Sequence, residues 1–298
     1  LDLPFSLYNT FVIEERFGFN RTTVGTFISD LVKQALLALI IGAPMILLAL
    51  WIMESSGGLW WLYVWLAWMS FSLIMFWAYP AVNAPLFNKF SPLENETLKA
   101  RIQALLDKCG FRSKGIFVMD GSKRSGHGNA YFTGFGRTKR IVFFDTLIDS
   151  LEPGEVEAVL AHELGHFKLR HIQKRLLTTA LLSLAGLALL GWLAAQDWFY
   201  NGLGISQASP WMALLLFTMV APVFTFFLHP LMARLSRKHE FEADAYAVSQ
   251  SDGNDLIRAL VKMYRENAST LTPDPLYSAF HDSHPPAPVR IAHISANI

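Results

Sequence analysis

Four long apolar stretches, none of which contains a charged residue, dominate the pattern of this chain. They are Ala35–Met53, Leu59–Tyr79, Leu176–Ala195 and Trp211–Leu228. Each approaches or reaches the roughly 20 residues that a helix needs to cross the hydrocarbon core of a bilayer. The alternative is four buried helices of a large soluble core, but such helices rarely run so far without a charge. We therefore predict four membrane spans in two hairpins, at 35–79 and 176–228.

A change of periodicity between the hairpins predicts a small soluble insertion at 80–175. Apolar residues recur at helical spacing over Glu96–Cys109, and Gly115–Asp120 has the composition of a strand. Two further strands are predicted at Asn129–Phe135 and Arg140–Phe144, joined by a hairpin turn at 136–139.

The end of the insertion is predicted to be a helix that starts at Glu152-Pro153, because proline is favoured in a first turn. No helix breaker follows, so we expect this helix to run directly into the third span. Beyond the fourth span, His229-Pro230 is expected to interrupt the chain, before helices at Leu231–Ser249 and Asn254–Asn267. The chain thus divides into an N-terminal segment, a hairpin, the insertion, a second hairpin and a C-terminal helical region, with bounds 1–34, 35–79, 80–175, 176–228 and 229–298.

The distribution of charge orients the spans. All 25 Lys and Arg residues lie in 1–34, in 80–175 or after residue 229. Basic segments stay on the cytoplasmic side of a membrane, so the insertion is predicted to face the cytoplasm. The membrane would be the inner membrane of a bacterium or the endoplasmic reticulum membrane of a eukaryote. The net charge of +1 gives no reason to expect a nucleic-acid partner. The bilayer itself is the predicted partner of the apolar stretches.

The insertion contains His162-Glu163-Leu164-Gly165-His166, which is a H-E-x-x-H motif. In a helix, residues four apart share a face, so both imidazoles can reach one zinc ion. Glu163 lies between them, where it can accept a proton from water as a general base. The alternative is a polar helix face that carries two surface histidines.

A catalytic zinc usually has three protein ligands, and the best candidate for the third is Glu240. His166 lies about 15 Å before the third span and Glu240 about 18 Å after the fourth, so the two can meet at one depth. Asp244 shares the face of Glu240 and can accept a hydrogen bond from a ligand imidazole. A solvated acidic helix face is the alternative. His171 follows His166 by five residues, which is a poor spacing for one face, and is interpreted as structural or interfacial.

Short blocks of sequence along nearly the whole chain form a recognisable set together with the H-E-x-x-H motif. These are Leu3–Glu15, Gly18–Asn20, Ala84–Phe87, Gly121–Ser125, Asn129–Phe132, Lys139–Val142, Phe144–Leu147, Glu240–Ala245 and His284–Pro286. In these blocks and in the motif the chain resembles the Ste24-type CAAX prenyl proteases, the integral-membrane branch of the M48 zinc metalloproteases.

The resemblance implies a mainly α, multi-pass membrane protein with a small α+β zincin-like catalytic insertion. It implies one Zn²⁺ per chain and cleavage of a peptide bond C-terminal to a prenylated cysteine. The implied zinc ligands are His162, His166 and Glu240. The implied catalytic residues are Glu163 as the base, Asp244 as a supporting carboxylate or proton donor, and His284 and Arg290 near the scissile carbonyl. The implied substrate-binding residues are Asn129, Ala130 and Tyr131, on an edge strand that pairs with extended substrate.

One departure from the family's pattern is that four spans are visible where the family has seven. Because the chain begins at Leu1 inside the family's pattern, we expect about three N-terminal spans to be missing. The leading interpretation is a membrane zinc endopeptidase of prenylated CAAX proteins. A quality-control protease of misfolded or translocon-stalled proteins shares its chemistry. A transporter or scaffold with structural zinc is a third alternative, but it would need no base such as Glu163.

Overall fold

The computed structural model describes residues 2–78, 83–133 and 140–298. They form two compact units. One contains Leu1–Ile28, Tyr79–His171 and Met232–Ile298 and is called here the sheet unit, and the other contains Ser29–Ala78 and Ile172–Leu231 and is called the span unit.

The secondary structure is mainly helical. In chain order the α-helices are α1 Leu3–Tyr8, α2 Val24–Leu37, α3 Ala43–Ser55, α4 Trp60–Ala78, α5 Asn83–Phe87, α6 Glu96–Lys108, α7 Asp145–Ser150, α8 Pro153–Lys168, α9 His171–Leu193, α10 Asp197–Asn201, α11 Pro210–Thr225, α12 His229–Gln250, α13 Gly253–Glu266, α14 Pro275–His281 and α15 Ala287–Ser295. The strands are β1 Phe90–Pro92, β2 Ile116–Met119, β3 Ala130–Thr133 and β4 Arg140–Phe144.

Four helical stretches in the described residues are long and apolar enough to cross a membrane. They are Val24–Ser55, Gly57–Ala78, His171–Leu193 and Pro210–Gln250. These stretches confirm the four predicted candidate spans. Each begins before the predicted span, and the first and the fourth also end beyond it. Within the span unit the Trp65 indole N–H donates to the Ala180 carbonyl, 3.1 Å away, and lies as close to Ser183 Oγ. The indole N–H of this partly buried tryptophan therefore has partners on the neighbouring helix.

Two details of the predicted helices are wrong. The helix that carries the H-E-x-x-H motif does not run into the third span, because α8 ends at Lys168 and α9 begins at His171. Between them Arg170 adopts φ 60°, a left-handed conformation that turns the chain. His229-Pro230 does not interrupt the chain either. A short 3₁₀ turn at Phe226–Leu228 joins α11 to α12, and proline is tolerated in the first turn of a helix.

The sheet has four strands in the order β1-β2-β4-β3. β2 and β4 are parallel, with Ile116 opposite Ile141, whereas β3 is antiparallel to β4, with Ala130 opposite Phe143. β3 is therefore at one edge of the sheet. The predicted strands at 115–120 and 140–144 are confirmed, and β3 covers the described part of the strand predicted at 129–135 except for Asn129. The predicted turn at 136–139 lies outside the described residues.

The core of the sheet unit holds α8 in place. Its largest buried side chains include Phe143 and Ile141 of β4, Leu106 of α6, Leu160 of α8 and Leu256 of α13. α6 and α13 both pack against α8. The motif helix is thus fixed by apolar contacts to the sheet and to two further helices, and it presents its histidines from a rigid element.

Candidate metal centre

The first turn of α8 is stabilised by a capping box. Glu152 precedes the helix, and the Glu155 carboxylate accepts a hydrogen bond from the Glu152 backbone N–H at 2.8 Å. Glu155 is buried, and it also receives a hydrogen bond of 2.7 Å from Lys262 Nζ on α13. The helix that begins here carries both histidines of the motif on one face, with their Nε2 atoms 3.1 Å apart.

Gly165 allows α12 to approach α8 closely. A Cβ atom built on Gly165 would lie 3.0 Å from Ala243 Cα and 3.1 Å from the Ala243 carbonyl oxygen. Ala243 and Ala247 are fully buried, whereas Ala245 is exposed. The small residues Ala243, Ala245 and Ala247 predict such a close approach from the sequence, and the glycine inside the motif is the matching signal on α8.

Glu240 of α12 reaches the two motif histidines. Its Oε1 atom lies 3.4 Å from His166 Nε2, and its Oε2 atom lies 3.5 Å from His162 Nε2. Glu240 is buried, and among the described residues no group donates a hydrogen bond to its Oε2 atom. A buried carboxylate oxygen without a hydrogen-bond donor is costly unless something else compensates its charge.

The three side chains fit a zinc ion. Two imidazole nitrogens and one carboxylate are a donor set used by catalytic zinc. Atoms bound at 2.0–2.2 Å in a tetrahedron are about 3.3–3.5 Å apart, close to the separations of 3.1–3.5 Å among His162, His166 and Glu240. A cation at this position would add to the Arg290 guanidinium, whose Nη1 atom lies 3.5 Å from Glu240 Oε2, in compensating the charge on that oxygen.

Asp244 orients His162 by contacting its Nδ1 atom, the ring nitrogen that faces away from Glu240 and His166. It is fully buried, and its Oδ1 atom lies 2.8 Å from His162 Nδ1. The Arg290 guanidinium of α15 donates to both oxygens of Asp244, with Nε 2.9 Å from Oδ2, and its Nη1 atom lies 3.5 Å from Glu240 Oε2. Asp244 therefore directs the opposite nitrogen of His162, Nε2, towards Glu240 and His166.

Two pKa values reflect this arrangement. Burial lowers the pKa of the His162 imidazole, but the adjacent Asp244 and Glu240 carboxylates outweigh burial and raise that pKa to about 9. A metal ion at this site must therefore compete with a proton. Burial raises the pKa of the Glu163 carboxyl, although the neighbouring histidines His162 and His166 oppose that rise. A raised pKa makes a carboxylate a stronger base.

The remaining predicted site residues differ in how near they lie to Glu240. His284 precedes α15, is exposed, and has its Nε2 atom 3.4 Å from Glu240 Oε1. On β3, Ala130 is buried in the core, and the Tyr131 hydroxyl lies 3.8 Å from Met119 Sδ. Asn129 is exposed immediately before the strand. β3 packs against α8, so the edge strand and the motif helix are neighbours.

His171, which its spacing predicts to be structural or interfacial, contacts the motif histidine His166. Its Nδ1 atom lies 3.0 Å from His166 Nδ1, and its Nε2 atom lies 2.9 Å from Glu242 Oε2. His239 stacks on the His171 ring, with centroids 4.1 Å apart. The five-residue spacing excluded such a contact only for a continuous helix, and the left-handed Arg170 removes that condition.

Sequence comparison places the whole chain among known proteins. Residues 1–89 match a family profile described as CAAX prenyl protease N-terminal, five membrane helices. Residues 92–298 match the profile of Peptidase family M48. The chain belongs to peptidase family M48. It is therefore a membrane metalloendopeptidase, which confirms the class predicted from the spans and the motif.

Three M48 relatives show how far the similarity extends. The CAAX prenyl protease 1 homolog of Arabidopsis thaliana is 40% identical over 294 residues, which are 98% of this chain and 69% of that protein. CAAX prenyl protease 1 of Saccharomyces cerevisiae is 40% identical, over 96% of this chain and 66% of its own length. The crystal structure of S. mikatae Ste24p superimposes with a TM-score of 0.93 at 38% identity, covering 98% of this chain and 72% of that chain.

Proposed function

We propose that this chain is a zinc endopeptidase that removes the last residues of CAAX-type proteins. One zinc ion would bind through His162, His166 and Glu240. The observation that carries the metal assignment is the buried Glu240 carboxylate, whose two oxygens face the Nε2 atoms of His162 and His166 and whose Oε2 atom has no hydrogen-bond donor among the described residues.

Zinc at this site would lower the pKa of water and polarise a peptide carbonyl. Glu163 is the general base of this proposal, because it is the carboxylate between the two histidines and burial raises its pKa. It takes a proton from the attacking water and delivers it to the nitrogen of the leaving peptide.

His284 and Arg290 have different proposed roles. Arg290 is buried and hydrogen-bonded to Asp244, so it fixes the carboxylate that orients His162. His284 is exposed beside Glu240, where its imidazole can donate a hydrogen bond to the oxygen that becomes negative as the peptide bond is attacked. Asp244 acts through His162 in this proposal and does not itself donate a proton to substrate.

The proposed substrate is an extended peptide tail. β3 is an edge strand that packs against the motif helix, and an edge strand can pair with any extended backbone. Asn129, Ala130 and Tyr131 are the proposed pairing residues. The choice of a prenylated CAAX tail follows from the relatives, which are named CAAX prenyl proteases. The proposed orientation places the site on the cytoplasmic side.

Metal analysis tests the ligand assignment. Purified His162→Ala and Glu240→Ala should lose zinc, whereas Glu163→Gln should retain about one zinc per chain and lose peptidase activity. His281→Ala is a matched control, since His281 is exposed and its ring contacts the tilted rings of Tyr277 and Phe280. Full zinc retention by either ligand variant would refute the assignment.

Paired peptides test the substrate. The same CAAX peptide is offered with and without its farnesyl group, and kcat/KM is compared. A clear preference for the farnesylated peptide supports CAAX processing. Equal kcat/KM for the two peptides would refute recognition of the prenyl group and would favour the quality-control protease.

A further inference from the structure

The second histidine cluster of the sheet unit contains His171, His239 and Glu242, whose potential ligand atoms all lie within 4.8 Å of one another. Two of these side chains are buried. Such a cluster can be a second metal site or a set of hydrogen bonds that supports the first site. The ring geometry decides between these possibilities.

A metal ion is a poor fit to this cluster. The His171 and His239 rings are nearly parallel, at 12°, and their centroids are 4.1 Å apart. The lone pair of an imidazole nitrogen lies in the ring plane, so an ion about 2.1 Å from both nitrogens would be far out of plane for at least one ring. The His171 Nε2 atom is also already 2.9 Å from Glu242 Oε2, which is an ordinary hydrogen-bond distance.

A zinc ion on His166 would fix which atom donates and which accepts in each hydrogen bond of this cluster. His166 Nε2 faces His162 and Glu240, so a zinc ion there requires the lone pair on Nε2 and the proton on Nδ1. That Nδ1–H points at His171 Nδ1, 3.0 Å away, which must then accept. The proton of a neutral His171 consequently lies on Nε2, from which it donates to the Glu242 carboxylate.

We infer that His171 is a positioning residue for the proposed zinc site, which fixes the tautomer and ring orientation of His166 and is itself oriented by Glu242. His162 and His166 would then be supported separately, the first by Asp244 and the second by His171. A partner on the second nitrogen of a zinc-bound histidine typically contributes 10- to 100-fold in metal affinity. The inference rests on the proposed zinc site.

The left-handed residue Arg170 makes this support possible. On a continuous helix, residues five apart are about 140° apart around the axis, and their side chains do not meet. The turn at Arg170 brings the first residue of α9 back against the last turn of α8. His239 stacks on the ring and keeps it in the plane that both hydrogen bonds require.

Zinc affinity of the full chain tests the inference, measured by competition with a chelator. His171→Phe retains the ring that stacks on His239 but removes the acceptor, and should weaken zinc binding by about 10- to 100-fold. His171→Asn places an acceptor oxygen near the Nδ1 position and should recover most of that loss. His281→Phe is the matched control and should bind zinc normally. Wild-type affinity in His171→Phe would overturn the inference.

A double-mutant cycle separates support of the metal site from general stability. Glu242→Ala should weaken zinc binding in the wild-type background but not in His171→Phe, because Glu242 acts through that histidine. Additive losses would overturn the inference, as would two zinc ions per wild-type chain and one in His171→Phe. If His171→Phe does not fold, Glu242→Ala alone must weaken zinc binding. Retention of zinc by His162→Ala would instead refute the proposed metal site.

Discussion

Gly165→Ala should damage the proposed metal site although position 165 contributes no ligand. The added methyl would lie 3.0 Å from Ala243 Cα, 3.1 Å from the Ala243 oxygen and 3.2 Å from Tyr246 Cβ. None of these atoms can rotate away, since each is backbone or directly attached to it. The α8 and α12 backbones must therefore separate by a few tenths of an ångström, and Glu240 moves with α12.

Two opposing terms determine the stability of this variant. Overpacking of a close contact costs about 1–3 kcal/mol, and replacement of a helical glycine by alanine gains about 1 kcal/mol. We expect a net loss of roughly 0–2 kcal/mol, measured by thermal unfolding with and without zinc. The functional effect should be larger than this loss suggests. A 1 Å displacement can cost about 100-fold in rate, so a shift of a few tenths should lower kcat/KM about 10-fold.

Gly186→Ala is the matched control for this prediction. Gly186 also lies within a helix, α9, but a Cβ atom there would meet nothing within 4 Å. The control should keep wild-type stability and wild-type kcat/KM, because the added methyl meets no neighbouring atom. Wild-type zinc affinity and wild-type kcat/KM in Gly165→Ala would show that the close approach of α8 and α12 does not determine the position of Glu240.

Three further predictions concern chemistry, support and topology. Glu163→Gln should bind zinc normally and lose at least about 100-fold in kcat, since an amide cannot accept the proton; near wild-type turnover would exclude the base role. Asp244→Asn should weaken zinc affinity about 10- to 100-fold, and unchanged affinity would contradict the proposed support of His162. In a Cys109→Ser background, a cysteine at Ser56 should react with an impermeant thiol reagent from the non-cytoplasmic side and one at Ser122 should not. The reverse labelling pattern would invert the predicted orientation.

Features that depend on local chemistry were predictable from the sequence. Uncharged runs of about 20 residues predicted the spans, and the H-E-x-x-H spacing placed His162 and His166 on one face because both effects act over a few residues. Glu240 could be predicted as a ligand because its distance from the end of the fourth span, counted in residues, matches the distance of His166 from the start of the third span.

The missed features depend on tertiary contacts. Arginine has no preference for the left-handed region, so the residue type at position 170 does not predict the break between α8 and α9. β1 has only three residues and ends in proline, so its sequence is too short to show an alternating pattern. It forms a strand because it pairs with the edge of β2. His171 became a candidate only once the break had brought it against His166.

The proposed site is assembled from residues far apart in the order of synthesis. His162 and Arg290, whose Nδ1 and Nη2 atoms lie 3.4 Å apart, are separated by 128 positions in the sequence. Glu155 and Lys262, which form the hydrogen bond at the start of α8, are separated by 107 positions. At about 5–20 residues per second, Arg290 is made roughly 6–25 s after His162. The last two spans are synthesised within that interval. The motif histidines are therefore made before Asp244 and Arg290 exist to orient them, so peptidase activity should begin only once the C-terminal helices have been made.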